Sequence, residues 1–182
     1  MVTISASVDI AASPKAVFDL VTDVSRRARL NPRVGVLGIA KVTPGPVRLG
    51  TRFRYRVAVD GHIVEHACEC VAFEPGRLME TVSDTEPPFR VRVTVEPIPG
   101  GARLTQEEFF ELTPAVMPLP RWRGWPGRLL DRLFGGADCL RQSAESLAAE
   151  AEETCRRLQP RLAGWLERLK RHLEQGRGVF YA

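Results

Sequence analysis

Apolar and polar residues alternate strictly over 3–10 (TISASVDI), with Ile4, Ala6, Val8 and Ile10 on one side. A period of two predicts a half-buried strand. Ser13 then precedes Pro14, a helix cap followed by a residue suited to the first helical position. Val17, Leu20, Val21 and Val24 supply the apolar stripe of a helix over about 14–22. Asp23 opens a second short helical turn, which Asn31-Pro32 stops. From 34 to 112 short alternating runs return, divided at Pro44-Gly45-Pro46, Asp60-Gly61, Pro75-Gly76, Pro87-Pro88 and Gly100-Gly101. Six strands fit there, antiparallel because their connections are short. After 128 the period becomes helical and stays so to about 175.

Two hairpins fall into register. Asp60-Gly61 is a two-residue turn signal, which sets Val59 against His62. Counting back pairs Arg56 with Glu65 and Arg52 with Glu69 on one face. The other face pairs Val57 with Val64, Tyr55 with His66 and Phe53 with Cys68. The turn 98–101 likewise sets Glu96 against Arg103 and Arg92 against Glu107. Behind them lie Val95 with Leu104, Val93 with Gln106, Val91 with Glu108 and Phe89 with Phe110. Opposite charges on one face and mainly apolar pairs on the other support both registers.

Composition narrows the class. A chain of 182 residues, 44% hydrophobic and 26% charged, is one domain or one domain with an appendage, and it is not disordered. No long uncharged apolar run predicts a membrane-spanning helix, and the first residues have no secretory pattern. The four cysteines (Cys68, Cys70, Cys139, Cys155) lack metal-motif spacing and are expected as reduced thiols in a cytoplasmic protein. Residues 1–120 are charge-balanced, with 14 basic and 14 acidic residues, so the net +4 belongs to 121–182. Arg-rich basicity spread along a helix is a weak signal for nucleic acid, and no nucleic-acid partner is expected.

The order strand, helix pair, six antiparallel strands and long helix resembles the helix-grip fold of the START-like (SRPBCC) superfamily, in its bacterial polyketide cyclase/dehydrase and lipid-transport branch. The stretch Ser13-Pro14-Lys15-Ala16-Val17-Phe18-Asp19-Leu20-Val21-Thr22-Asp23 is similar to that family's opening. So are Gly45-Pro46-Val47-Arg48-Leu49-Gly50-Thr51-Arg52-Phe53, Phe73-Glu74-Pro75-Gly76-Arg77-Leu78 and Gly101-Ala102-Arg103-Leu104-Thr105. Leu30 stands before Asn31-Pro32 where relatives often have Trp. The resemblance implies an α+β fold, a curved seven-stranded sheet wrapping a helix, with a small hydrophobic, aromatic or polycyclic ligand between them. These motifs are caps, turns and strand edges, so they carry fold and no chemistry.

Candidate ligand-binding residues follow from strand parity. Phe53, Tyr55 and Val57 share the inward face of one strand; His66 and Cys68 oppose two of them. Val91, Val93, Gln106, Glu108 and Phe110 line the other hairpin. Glu108, on an apolar face, would have its pKa raised by desolvation and so suit general acid or base work, unless a bulge turns it outward. Tyr55 and His66 form a cross-strand pair able to polarise a carbonyl or to orient a ligand. Glu108, His66 and Tyr55 are therefore the candidate catalytic set of a cofactor-independent cyclase or dehydratase. His62, His66, Cys68 and Cys70 share a face, yet residues two apart on a strand rise about 6.6–6.8 Å, so no metal site is expected. Trp122 and Trp125, between Arg121 and Arg123 in a proline-rich link, are candidates for a flap over the cavity.

The helical region carries two stripes. Leu140, Ala144, Leu147, Ala151, Thr154 and Leu158 match a gripping helix in a domain over 1–158. Beyond Pro160, Leu162, Trp165, Leu166, Leu169 and Leu173 form a second stripe, read as an extension over 159–182. A helix from 138 to 175 would run about 57 Å, against roughly 35–40 Å for the domain. It therefore bends back or overhangs. An overhang needs a second copy of the chain, another protein, or a membrane surface. The leading expectation is a ligand-binding protein, with the enzyme and a protein-interaction module through 160–175 as alternatives.

Overall fold

The computed structural model describes residues 2–59, 62–86, 88–111 and 137–176. Seven strands, β1 (Val2–Ile10), β2 (Val34–Lys41), β3 (Arg52–Val59), β4 (His62–Glu74), β5 (Leu78–Ser83), β6 (Arg90–Ile98) and β7 (Gly101–Phe110), form one antiparallel sheet. Its order is β1-β7-β6-β5-β4-β3-β2, so only the first link is not between chain neighbours. Helices α1 (Pro14–Thr22) and α2 (Val24–Arg29) connect the two edge strands, and α3 (Ala137–Gln175) lies along β1. This is the α+β helix-grip arrangement. Ser13 Oγ accepts the Ala16 N–H at 3.3 Å to start α1, and Asp23 Oδ1 accepts the Arg26 N–H at 3.0 Å to start α2.

Both hairpin registers hold from Arg52↔Glu69 to Val59↔His62 and from Val91↔Glu108 to Glu96↔Arg103. The second ladder ends at Arg90↔Phe109, so Phe89 lies outside the strand and does not pair with Phe110. A register shift between Cys70 and Ala72 pushes Val71 outward and brings Phe73 opposite Met79. Gly101 stands where a Cβ would meet the Ile10 carbonyl oxygen at 2.0 Å, so the tip of β7 tolerates no side chain.

The helix corrects the two-stripe reading. α3 runs unbroken through Pro160, so a boundary at 158 falls inside it. Leu162, Leu166 and Leu169 are 4%, 1% and 0% exposed, and the last two share a core cluster with Val8, Ile10, Val17, Leu20 and Leu104. Of the two courses left open, bending back or overhanging, the helix takes neither: it has no break, and Leu166 and Leu169 pack on their own sheet. Edge strand β1 explains the fit. Gln159 exchanges hydrogen bonds with the Ser5 N–H and C=O, and Glu174 accepts the Ala11 N–H at 2.9 Å. From Gln159 to Glu174 the helix rises about 22 Å; from Ser5 to Ala11 the strand advances about 20 Å. The matched lengths let side chains of α3 satisfy an edge that would otherwise present free backbone groups. Of the first stripe, Thr154 is buried and Leu158 half-buried; the side chains of Leu140, Ala144 and Leu147 lie outside the described residues.

Candidate functional site

Between the sheet, α2 and Trp165 of α3 is a cavity of about 240 Å³. Apolar wall comes from Val24, Val34, Val57, Met79, Phe89 and Val91. Polar groups come from Arg27, Asn31, Tyr55, His66, Gln106 and Glu108. Mostly apolar walls with a few convergent polar groups are the usual form of a small-molecule site.

Seven sequence-predicted residues meet here: Tyr55, Val57, His66, Cys68, Val91, Gln106 and Glu108. Phe53 and Val93 do not line it. Each is 1% exposed and belongs to the packed core. Phe110 lies at the end of β7, where it lines a separate surface cleft with Arg90 and Phe109. Trp122 and Trp125 lie outside the described residues.

Tyr55 and His66 stack, with ring centroids 4.8 Å apart and planes 3° from parallel. Phe89 meets His66 edge-on, with ring centroids 5.4 Å apart. His66 has its Nδ1 buried without a hydrogen-bond partner. Burial holds its pKa below the ordinary 6.5, partly opposed by the charge of Asp84, so the ring is neutral at pH 7. Burial also raises the Tyr55 phenol, and pushes the Cys68 thiol up to about 12, so both keep their protons.

A chain of polar side chains crosses the cavity wall. Arg27 Nη2 donates to Gln106 Oε1 at 2.8 Å, and Gln106 Nε2 donates to Glu108 Oε1 at 2.6 Å. Arg27 is only 8% exposed, with its guanidinium 5.1 Å from the centre of the Trp165 ring. β7 keeps an unbroken register on both sides, so no bulge turns Glu108 away. Burial raises the Glu108 pKa, while the Gln106 hydrogen bond and the Arg27 charge pull it back. Arg27 in turn is lowered by burial and supported by the charge of Glu108. Gln106 thus links a buried cation to a carboxyl that feels its charge.

Arg27 escaped the sequence reading because it sits in a run, Arg26-Arg27-Ala28-Arg29, that looks like a solvated face. The signal was its spacing. Val24, Arg27, Ala28 and Asn31 recur at helical intervals and all line the cavity. Trp165 belongs to an apolar stripe in the sequence, yet it also lines the cavity and leaves its indole Nε1 buried without a partner.

Comparison with known proteins agrees with this architecture. Residues 1–152 match the model of the polyketide cyclase/dehydrase and lipid transport family. No curated protein sequence matches the chain. Among solved structures it is similar to StfQ, the di-domain ARO/CYC of the steffimycin biosynthetic pathway, at TM-score 0.65 and 14% identity, covering 98% of this chain and 52% of that one. It is also similar to TTHA0849 from Thermus thermophilus, at TM-score 0.58 and 18% identity over 94% and 96% of the two chains. A third likeness is to the Aha1 dimer from Colwellia psychrerythraea, at TM-score 0.54 and 13% identity over 96% and 97%. At such identities the structures show a shared fold, and the family match covers most of the sequence. The chain belongs to the polyketide cyclase/dehydrase and lipid-transport family.

Proposed function

We propose that this protein binds a compact apolar or aromatic ligand bearing a hydrogen-bonding oxygen in the cavity between sheet and helices. One observation carries the reading: a mainly apolar cavity has Tyr55, His66, Gln106 and Glu108 together on its wall. The volume of about 240 Å³ is below the roughly 300–1,000 Å³ of drug-sized pockets, which favours a ligand of one or two fused rings. Because Arg27 is linked to Glu108 through Gln106, a neutral carbonyl or hydroxyl suits the inner end better than a second charge. Titration with an apolar fluorescent probe tests this. Saturable binding that weakens in Tyr55→Ala is expected; no saturable binding by folded protein would refute it.

The second reading is a polyketide-type cyclase or dehydratase. It is favoured by Glu108, His66 and Tyr55 lining one cavity, with a carboxyl raised by burial beside a neutral imidazole. In that reading Glu108 moves the proton, while Tyr55 and His66 orient the reacting carbonyl. Loss of turnover of a polyketide-like substrate in folded Glu108→Gln supports it; wild-type turnover excludes it.

A further inference from the structure

Beyond the cavity, on the far side of Trp165 and Glu108, lies a second opening. Its inner part, about 390 Å³, has Ile4, Leu158 and Leu162 as apolar wall and Arg33, Arg157 and Arg161 around it. Its outer part, about 280 Å³, adds Arg168 beside Pro32, Pro160 and Gly164. Asn31 and Trp165 line the cavity and both parts of the opening, so the three spaces share walls.

Four arginines therefore line the two parts of this opening, next to the cavity. The folding pattern puts them there: 157, 161, 164, 165 and 168 recur at helical spacing on α3, and Arg33 follows the Asn31-Pro32 stop that ends α2. Among the described residues none of the four guanidinium groups has a hydrogen bond or an ion pair. The rest of the surface is mixed: Arg29, Arg48 and Arg54 have no ion pair among the described residues either. Arg52, Arg56, Arg77, Arg90, Arg103 and Arg156 each have a carboxylate partner. The single carboxyl on the wall of the opening, Glu108, is already engaged by Gln106.

We infer that this arginine-lined opening receives the anionic end, a carboxylate or phosphate, of an amphiphilic ligand whose apolar body occupies the cavity. The division of labour follows from the chemistry of each space. The cavity supplies apolar wall and a balanced polar chain, whereas the opening supplies unpaired guanidinium forks shaped for carboxylate or phosphate oxygens. A ligand spanning both would place its charge where four cations lack partners and keep it out of the apolar wall. The inference rests on the cavity being a ligand site, and it names the class of ligand.

Calorimetric titration with 4-(1-naphthyl)butanoate, its methyl ester and 1-naphthyl phosphate tests both levels separately. Both naphthyl anions should bind at least about tenfold tighter than the ester, the effect of one good charge-assisted contact. That advantage should shrink as salt is raised and disappear in Arg33→Gln/Arg161→Gln, whose affinity for the ester stays at the wild-type value. Equal binding of acid and ester overturns the inference and leaves the cavity reading intact. An acid preference that persists in the double variant also overturns it, by placing the anion elsewhere. Failure of all three probes to bind refutes the cavity reading and the inference together. Arg-dependent binding to phosphatidylglycerol vesicles, with no preference between acid and ester, would replace the ligand by a membrane surface.

Discussion

The concave side of the sheet holds two apolar clusters that differ in what the long helix brings to them. Under β1, β6 and β7 the C-terminal half of α3 inserts Leu166 and Leu169, and α1 inserts Val17, Leu20 and Val21. Under β3, β4 and β5 there is only Val24 from α2 over Phe53, Cys70 and Met79. Phe73 touches both clusters and meets Phe18 at 5.7 Å. One end is filled and the other is left open. The cavity begins at the less covered end, where Tyr55, His66 and Met79 line it, and reaches Val91, Gln106 and Glu108 on β6 and β7. The lesson is that helix placement, more than strand composition, decides where the sheet is core and where it is site.

The strongest way to break that contrast is to truncate one residue on each side. Leu169→Ala is expected to cost about 3–5 kcal/mol, because a fully buried leucine leaves a cavity its neighbours cannot close. Met79→Ala, which merely widens a space already present, is expected at the low end of such substitutions, about 2 kcal/mol. Urea denaturation measures both. Equal costs would mean that the open end is packed as firmly as the filled one.

The polar chain on the cavity wall gives the next largest effect. Arg27→Met removes a buried cation and strands Gln106 Oε1 and the Glu108 carboxyl, for an expected loss of about 2–3 kcal/mol. In Arg27→Met/Glu108→Gln part of that loss should return, since the second change removes the uncompensated charge. A double-mutant cycle in denaturant gives the coupling. Strict additivity would mean that Arg27 and Glu108 do not sense each other through Gln106.

Acid and alkali should sharpen the same contrast. Glu108 has its pKa raised above the ordinary 4.5, so the unfolded chain ionises first and stability falls as pH climbs from there to the folded value. His66 has its pKa lowered below 6.5, so the unfolded chain takes up a proton first. Its contribution is complete above 6.5 and is lost as pH falls toward the folded value. Thermal melts across pH 4–8 should therefore show the first slope missing in Glu108→Gln and the second missing in His66→Phe. A wild-type pH profile in either variant would remove that residue from the titrating set.

How much of this was readable in the sequence depends on the distance over which each feature is encoded. The caps at Ser13 and Asp23, the turns and both hairpin registers are local, and they were legible. The inward faces of Tyr55, His66, Gln106 and Glu108 followed from the registers. The link from Arg27 to Gln106 joins residues 79 apart in the chain, and no local pattern announces it. Pro160 misled for a physical reason. Proline disfavours a helix interior by about 3 kcal/mol, yet here the helix continues, with Gln159 and Glu174 tied to β1 and three leucines buried beyond it. Tertiary contacts outweighed the local penalty.

The smallest effect belongs to the feature that was easiest to read. Arg56 and Glu65 defined the β3–β4 register, and they form an ion pair at 3.0 Å with side chains 60% and 64% exposed. Solvent screens such a pair, and exposed pairs couple by about 0.2–1 kcal/mol. A double-mutant cycle through Arg56→Ala and Glu65→Ala should give a coupling of at most about 0.5 kcal/mol, shrinking further in high salt. That is several times less than the loss expected from Arg27→Met. The pair marks the register through its pattern, while the apolar partners behind it, Phe53 at 1% exposed against Cys68 at 5%, supply the burial that enforces it. A coupling as large as that of the buried chain would reverse this order and make the outer face an energetic equal of the site.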